Sequence, residues 1–460
     1  MPNIVMDLLN HLQQLPPNWL MGYDTNQFKQ LTFQLYHQLS QLNPTPKILL
    51  AERKGDRFLP SFLAAVAANC SLFLINPDLA QQEWQEVLQL VQPDLILGTN
   101  SKTIPPKTTA TSPSSSPSSS PPQIMIPTGG SSGKIRFAIH TWSSLAASVE
   151  GFTQYFPQTP VNSYCILPLY HVSGLMQFIR SFLTGGQLLI QPYKVLKAAE
   201  EGEINQINLQ DFFISLVPTQ LQYLIETKPH WLCQFHTVLV GGAPTPQSLL
   251  DKARKAKIRL APTYGMTETG SQVVTLQPND FLAGNNSSGQ VLPHAAITIR
   301  SETGEILPPE DTGIIAIEAN SLFSGYYGQS YQNITHFITD DLGYLDNCGY
   351  LHVMGRRNRK IITGGENVFP TEVEEAILAT GLVEDVCVLG LADHKWGEAV
   401  TAVYVAGKDI SATMETALRN KLSKYKIPRY WVRIDTLPRN SQGKINYLLL
   451  RWQIMDKIIM

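Results

Sequence analysis

Several short stretches of this chain bring hydroxyls, carboxylates, paired glycines and a lysine together at turn-like positions. The densest is Thr263-Tyr-Gly-Met-Thr-Glu-Thr-Gly-Ser271, which follows the apolar residues Ile258, Leu260 and Ala261. An apolar run that ends in glycine, threonine and an acid reads as a buried strand delivering a loop. The hydroxyls of Thr267 and Thr269 with Glu268 suit phosphate oxygens and magnesium, a hard cation that prefers oxygen ligands. The same residues also suit a capped turn in which both threonines bond their own backbone.

Pro127-Thr-Gly-Gly-Ser-Ser-Gly-Lys134 is a loop of glycines and hydroxyls. Such a loop offers backbone N–H groups and side-chain donors to a triphosphate. It is not a Walker A loop, because Thr128 stands where that motif needs glycine and Ile135 follows the lysine. The competing reading is the tail of the Ser/Gly-rich segment before it. His171, in Leu167-Pro-Leu-Tyr-His-Val-Ser-Gly174, follows a strand end, where a lone histidine is more often structural. Val240-Gly-Gly-Ala-Pro244 is either a surface for a flat base or a tight strand-to-helix turn. Asp341, in Thr339-Asp-Asp-Leu-Gly-Tyr-Leu-Asp346 ahead of Gly355-Arg356, suits two ribose hydroxyls or ordinary turn chemistry. Gly364-Gly365 in Ile361–Pro370 lets a ligand pass close to the backbone. Lys444, in Leu437-Pro-Arg-Asn-Ser-Gln-Gly-Lys-Ile445, is either a catalytic cation or one more exposed lysine.

The elements that must carry these stretches alternate. Phe28–Leu42 has amphipathic helical spacing, and Lys47–Ala51, Leu72–Asn76 and Leu95–Gly98 are short apolar runs, the rhythm of βαβ units. Residues 108–123 are almost free of apolar side chains and read as an exposed tether. Strands are expected at Ile124–Ile126, Tyr164–Leu167, Leu188–Ile190, Phe213–Val217, Thr237–Val240 and Ile258–Ala261, with helices at Thr219–Glu226 and Pro246–Ala256. From Ala295 the pattern turns to alternating strands, Ala296–Arg300 and Gly313–Glu318, a small β-rich subdomain for which a barrel is one form. Beyond Arg356 a separate α+β unit is expected, with a Thr371/Glu374 capping box, strands at Val386–Leu391 and Ala399–Val405, and a helix at Ala412–Leu422. The fold class is therefore α/β. A large N-terminal domain, residues 1–356, holds βα-layered sheets and the β-rich subdomain, and a small α+β domain, residues 357–460, follows.

At 460 residues the chain is too long for one core. A net charge of −2 leaves no electrostatic footprint for nucleic acid. Five scattered cysteines without a C-x-x-C pair argue against a disulfide framework or zinc site. With neither a secretory signal nor an apolar run long enough to span a bilayer, a cytoplasmic location is the expectation.

Taken in order, these stretches resemble the AMP-forming acyl- and aryl-CoA synthetase superfamily from about Ile124 to Ile445. YGMTETGSQVVTL followed by SSGQVLP is most similar to the branch that acts on 2-succinylbenzoate in menaquinone or phylloquinone biosynthesis. The resemblance implies ATP and Mg2+ as cofactors, with coenzyme A as co-substrate. ATP converts a carboxylate to an acyl-adenylate, and the CoA thiol then displaces AMP. It assigns Thr128, Gly129, Gly130, Ser131, Ser132 and Gly133 to the β- and γ-phosphates, Thr267 to the adenylate phosphate and Glu268 to magnesium. Gly242, Ala243, Tyr264 and Gly265 would line the adenine slot, and Asp341 with Arg356 would hold the ribose. Lys444 would neutralise charge during adenylation. His171, Gly265 and Ser271 would border the acyl pocket, and Gly364-Gly365 the pantetheine tunnel. The small domain would rotate between half-reactions. The chain departs from the family pattern in three places: Ile135-Arg136-Phe137 stands for the usual Pro-Lys-Gly, so that Arg136 keeps the cation while the Pro and the last Gly are lost; Asp340 replaces a glycine; and Arg359 replaces the usual Asp or Lys of the hinge. Two other readings stay open, a ligase for a different acid and a non-catalytic adenylate-binding homologue. A carrier-loading adenylation domain is disfavoured because no carrier domain follows residue 460.

Overall fold

The computed structural model describes residues 4–98, 122–129, 135–200, 207–329, 334–363, 366–393, 396–419, 421–440 and 443–458. The expected tether lies outside them except for its last two residues, and Gln123 already begins a strand. The expected site residues Gly130, Ser131, Ser132, Gly133, Gly364 and Gly365 lie outside them too.

Two sheets form the body of the protein. One has five strands in the order Leu95–Gly98, Lys47–Ala51, Ser71–Leu74, Gln123–Gly129 and Ile135–Thr141. All its pairs are parallel except the last, an antiparallel pair running from Gln123↔Thr141 to Gly129↔Ile135. The other has eight strands, in the order Leu20–Met21, Leu188–Ile190, Asn162–Cys165, Phe212–Leu216, Thr237–Val240, Leu260–Met266, Ser271–Thr275 and Gln290–Val291. It is parallel until Leu260–Met266, then closes with two antiparallel pairs.

Helices Gly55–Ala67 and Val172–Thr184 lie in a core that draws on both sheets, through Ile48, Leu50 and Ile124 on one side and Cys165 and Leu188 on the other. Gly55–Ala67 is buried along most of its length, as its near-continuous apolar sequence requires. Parallel strands are covered on both faces, so they carry continuous apolar runs instead of alternation. Lys47-Ile-Leu-Leu-Ala51 is such a run, with its last four residues buried.

The β-rich subdomain is an open meander, not a barrel. Its four antiparallel strands run Ala295–Arg300, Gly313–Ala319, Phe337–Leu345 and Leu351–Arg356. The C-terminal unit is a five-stranded sheet in which Tyr430–Ile434 pairs parallel to Gly397–Val405. It has cores of its own around Val388, Ala402 and Met414, and around Cys387, Val432 and Leu450.

Two local expectations are corrected. Strand Leu260–Met266 runs on through Thr263-Tyr-Gly-Met266 instead of ending at Ala261, because these residues pair with Ser271–Thr275 across a bulge at Tyr264/Gly265. The Thr371/Glu374 capping box does not form. Helix Pro370–Leu378 has Phe369 at its N-cap, while Thr371 donates to the Met354 carbonyl at 2.6 Å and Glu374 accepts from the Val388 N–H at 2.7 Å.

Candidate active site

After Met266 the chain makes one short turn, Thr267–Thr269, closed by Gly270 in the left-handed conformation at φ +62°. The two threonines behave differently. The buried Thr269 hydroxyl accepts from the Met266 N–H at 2.9 Å and donates to the Ser271 carbonyl at 2.6 Å, so it holds the turn closed. The Thr267 hydroxyl has no hydrogen-bond partner among the described residues, while the Thr267 carbonyl accepts from His140 Nε2 at 2.7 Å. His140 is fully buried, and burial lowers its pKa to about 4, so the ring is neutral and acts as a fixed donor. The turn-closing reading therefore holds for Thr269, while the Thr267 hydroxyl makes no such backbone bond among the described residues.

Glu268 sits in that turn and is buried. Its Oε1 accepts from Tyr326 Oη at 2.7 Å and from Thr128 Oγ1 at 3.4 Å. No hydrogen bond to Oε2 is found among the described residues. The Arg136 guanidinium lies 4.5 Å from the centre of the Tyr326 ring, so the cation that replaces the family lysine faces this carboxylate's partner. Thr128 and Arg136 are opposed across the antiparallel pair that flanks residues 130–134. No group of three or more His, Cys, Asp or Glu side chains able to hold a metal occurs among the described residues. Magnesium uses one or two protein carboxylates and completes its shell with phosphates and water. Glu268 with a free Oε2 has the chemistry for it.

Asp341 is also buried, and both its oxygens are engaged: Tyr264 Oη donates to Oδ2 at 2.9 Å, and Arg356 Nε pairs with Oδ1 at 3.0 Å. The Asp341 backbone N–H is held by Thr339 Oγ1 at 3.0 Å. Burial and the neighbouring Asp341 raise the Tyr264 pKa well above the ordinary phenol range, so the hydroxyl stays a donor. A carboxylate oxygen has two acceptor sites, which leaves one on each oxygen for a ligand hydroxyl. Gly242, at φ +81°, and Ala243 are exposed at the end of strand Thr237–Val240, which pairs with the strand carrying Tyr264. Gly265 packs so tightly that a Cβ would meet the Ser271 carbonyl oxygen at 2.2 Å.

His171 caps helix Val172–Thr184, and burial, then Lys444, lowers its pKa to about 4. Lys444 comes from the small C-terminal unit on a braced turn. Its N–H donates to Asn440 Oδ1 at 3.0 Å, its carbonyl accepts from the Asn440 N–H at 2.8 Å, and Arg439 donates to the Gly443 carbonyl at 2.8 Å. At Gly443, φ +75°, a Cβ would lie 3.2 Å from Thr219 Oγ1 of the large body. Lys444 stays open to solvent within a crevice crowded by protein. That crowding, then Arg356, lowers its pKa, while Glu268 and Asp341 oppose the shift.

The described part of the site is thus one crevice holding Thr128, Thr267, Glu268, Tyr264, Asp341, Arg356, His171 and Lys444. Ser271 stands to one side, bonded to Arg180 and Gln272. Sequence reasoning gave no role to Tyr326, His140, Thr339 or Arg180. Tyr326 lies 58 residues beyond Glu268 in a stretch with no polar motif. Arg180 sits inside an apolar helical pattern where its charge was the one available signal.

The AMP-binding enzyme family matches residues 26–327, and the AMP-binding enzyme C-terminal domain matches residues 372–444. The chain is 30% identical over 459 residues to the 2-succinylbenzoate–CoA ligase of Bacillus velezensis, covering 91% of this chain and 92% of that one. It is 33% identical over 343 residues to the enzyme of that name from Bacillus subtilis, covering 72% of this chain and 68% of the relative. Among solved structures, o-succinylbenzoate CoA synthetase (MenE) from Bacillus subtilis in complex with the acyl-adenylate intermediate OSB-AMP superposes with a TM-score of 0.83 at 25% identity, covering 98% of each chain. ATP-bound MatB from Rhodopseudomonas palustris shares the fold, with a TM-score of 0.82 at 23% identity over 99% of each chain. With both domains matched and a relative covered nearly end to end, this chain belongs to the AMP-binding enzyme family.

Proposed function

We propose that this protein is an acid–thiol ligase that activates 2-succinylbenzoate with ATP and passes the acyl group to coenzyme A. The observation that carries the reaction class is the meeting of Lys444 with Glu268, Asp341, Arg356 and His171 in one crevice, because those groups reach it from separate parts of the chain. The choice of acid rests on the relatives that carry that name over most of their length.

The chemistry follows from the charges. A carboxylate is a poor acyl donor until one oxygen becomes part of a good leaving group. In the first step a substrate carboxylate oxygen attacks the α-phosphorus and pyrophosphate leaves, giving a mixed anhydride. Negative charge gathers on the α-phosphate oxygens, where Lys444 supplies a positive charge and the Thr267 hydroxyl a donor. Asp341, held by Tyr264 and Arg356, takes the ribose hydroxyls, while Gly242, Ala243 and Gly265 border the base. Thr128 and residues 129–133 hold the β- and γ-phosphates. Magnesium at Glu268 would neutralise the departing pyrophosphate. In the second step the CoA thiolate attacks the acyl carbonyl and AMP leaves. Positioning accounts for much of the gain in both steps.

We place the domain boundary between Arg356 and Arg357, supported by separate cores on its two sides. With Lys444 in the crevice the small domain serves the first half-reaction, and its rotation would bring Gly364-Gly365 in for the second. No helix among the described residues is long and apolar enough to cross a membrane, and all five cysteines are free thiols, which supports a cytoplasmic setting. Incubation with ATP, magnesium, coenzyme A and 2-succinylbenzoate should yield the succinylbenzoyl thioester, AMP and pyrophosphate in equal amounts. A mixture that releases ADP, or no thioester, would refute the assignment.

A further inference from the structure

Lys444 serves the reaction only if its ammonium reaches the crevice, and the small domain projects it there from a turn. The ends of that turn are anchored by packing. Leu437 is buried, and Ile445 packs against the same core, built around Cys387, Val432 and Leu450. Arg439 and Ile445 face each other as an isolated antiparallel bridge. Within the turn, the Lys444 N–H donates to Asn440 Oδ1 at 3.0 Å and the Gly443 N–H to the Asn440 carbonyl at 2.9 Å. These bonds close the turn on itself without fixing its direction relative to the sheet.

Arg439 supplies the direction. Its Nη1 donates to the carbonyl of Gly443, the residue before Lys444, at 2.8 Å, and its Nη2 pairs with Asp385 Oδ2 at 2.6 Å. Asp385 is itself held: its Oδ1 accepts from the Val386 N–H at 2.9 Å, and it opens a strand paired from Asp385↔Val405 to Asp393↔Gly397. The planar guanidinium fork therefore carries position from the sheet to the peptide that adjoins Lys444. As a stability device the pair is weak, because its side chains are 30% and 35% exposed and such ion pairs contribute little. Its field is weak too, since the two charges offset each other. The charges that act most on the Lys444 ammonium are those of Arg356, Glu268, Arg359 and Asp341. Geometry is what the fork adds.

We propose that Arg439, oriented by Asp385, is a positioning residue for adenylation, holding the peptide before Lys444 so that the ammonium meets the α-phosphate. This rests on the reading that Lys444 serves the first half-reaction. Arg439 acts through Lys444, not on the reacting atoms. A misplacement of about 1 Å in a group that stabilises the transition state costs on the order of 100-fold in rate. Transfer to coenzyme A does not use Lys444, so it is spared.

The test reads the two half-reactions of the full-length enzyme separately: pyrophosphate release without coenzyme A, and thioester formation from supplied succinylbenzoyl-adenylate. Arg439→Ala should lower the kcat of adenylation by roughly 10–100-fold. The KM for ATP and the rate of transfer should stay within about twofold of wild type. Arg439→Lys keeps the charge but loses the fork, so it should fall with Arg439→Ala. Asp385→Ala should show the same selective loss, whereas Asp385→Asn, which keeps an oxygen acceptor for the guanidinium, should retain most of the rate. The double variant Arg439→Ala/Asp385→Ala should lose no more than Arg439→Ala alone, because the two side chains act as one unit. Should Arg439→Ala fail to fold, the Asp385 variants carry the prediction by themselves. If Lys444→Ala loses adenylation selectively while the Arg439 and Asp385 variants keep the wild-type rate, or lose both half-reactions together, the inference is overturned and the role of Lys444 survives. Full activity in Arg439→Lys, or losses that add in the double variant, would overturn it as well. If Lys444→Ala leaves adenylation intact, the role of Lys444 and this inference fall together.

Discussion

Tyr326 donates to Glu268 at 2.7 Å, joining the loop after strand Gly313–Ala319 to the turn that carries the buried carboxylate. The bond fixes one oxygen of Glu268 and leaves the other for a ligand. A hydrogen bond to a charged group is worth about 1.5–3 kcal/mol, or roughly 10–100-fold in rate if it is felt in the transition state. Tyr326→Phe should lower kcat/KM for adenylation within that range and raise the magnesium concentration needed for half-maximal rate. Glu268→Gln should raise the magnesium demand further. Magnesium titrations that superpose on the wild type for both variants would remove Glu268 from the metal site.

Lys444, from the small domain, lies close enough to Glu268 and Asp341 to feel both charges. Lys444→Ala should abolish formation of the acyl-adenylate, yet leave transfer to CoA from supplied acyl-adenylate largely intact. Rapid-quench measurement of each half-reaction separates the two; equal losses would contradict the assigned role. Because the Lys444 pKa is lowered, its positive charge is lost at a lower pH than for a free lysine. Adenylation should therefore decline on the alkaline side before pH reaches the ordinary lysine range, with CoA transfer from supplied adenylate escaping that limb.

The Asp341 clamp makes a different prediction. Tyr264 and Arg356 hold its two oxygens in place, so Asp341→Ala should raise the KM for ATP by roughly 10–100-fold, the weight of a hydrogen bond to a charged group. Tyr264→Phe should have a smaller effect of the same kind. Deoxyribose analogues of ATP offer a check, since the Asp341→Ala enzyme should no longer distinguish them from ATP. Continued discrimination would place the ribose elsewhere.

His140, His171 and His294 are each held near pKa 4 by burial, against an ordinary value of 6.5. Below about pH 6.5 the unfolded chain takes up protons that the folded chain refuses, so stability is full above that point and falls as pH drops toward 4. Urea midpoints measured between pH 7 and 5 should decline accordingly. His140→Gln should flatten the slope by up to about 1.4 kcal/mol per pH unit, the share of one titrating group. A slope unchanged in that variant would mean that His140 protonates without penalty.

Much of the architecture could be read from patterning because the strands are short, apolar and separated by glycine or acidic turns. Lys47–Ala51, Leu188–Ile190 and Thr237–Val240 occur as expected. Errors arose where tertiary pairing decides the outcome. Thr263-Tyr-Gly-Met266 looks like a loop by composition, yet it pairs with Ser271–Thr275 and is strand. Thr371 and Glu374 have capping-box spacing, but each is drawn from its helix to a backbone partner in a neighbouring strand. In the candidate site, the glycine and hydroxyl motifs can be read from the sequence, whereas the side chains that brace Glu268 and Asp341 cannot. Tyr326 and Thr339 reach Glu268 and Asp341 through side-chain bonds that the motifs do not announce, and a single sequence holds no trace of such pairings.

The defining step of the proposed reaction is conversion of a particular acid into its adenylate. Carboxylate-dependent exchange of radiolabelled pyrophosphate into ATP, run across a small panel of aryl and aliphatic acids, reads that step without coenzyme A. Exchange should depend on magnesium, be supported best by 2-succinylbenzoate and be lost in Lys444→Ala. Exchange driven as well by an unrelated acid, or undiminished when Lys444 is replaced, would contradict it.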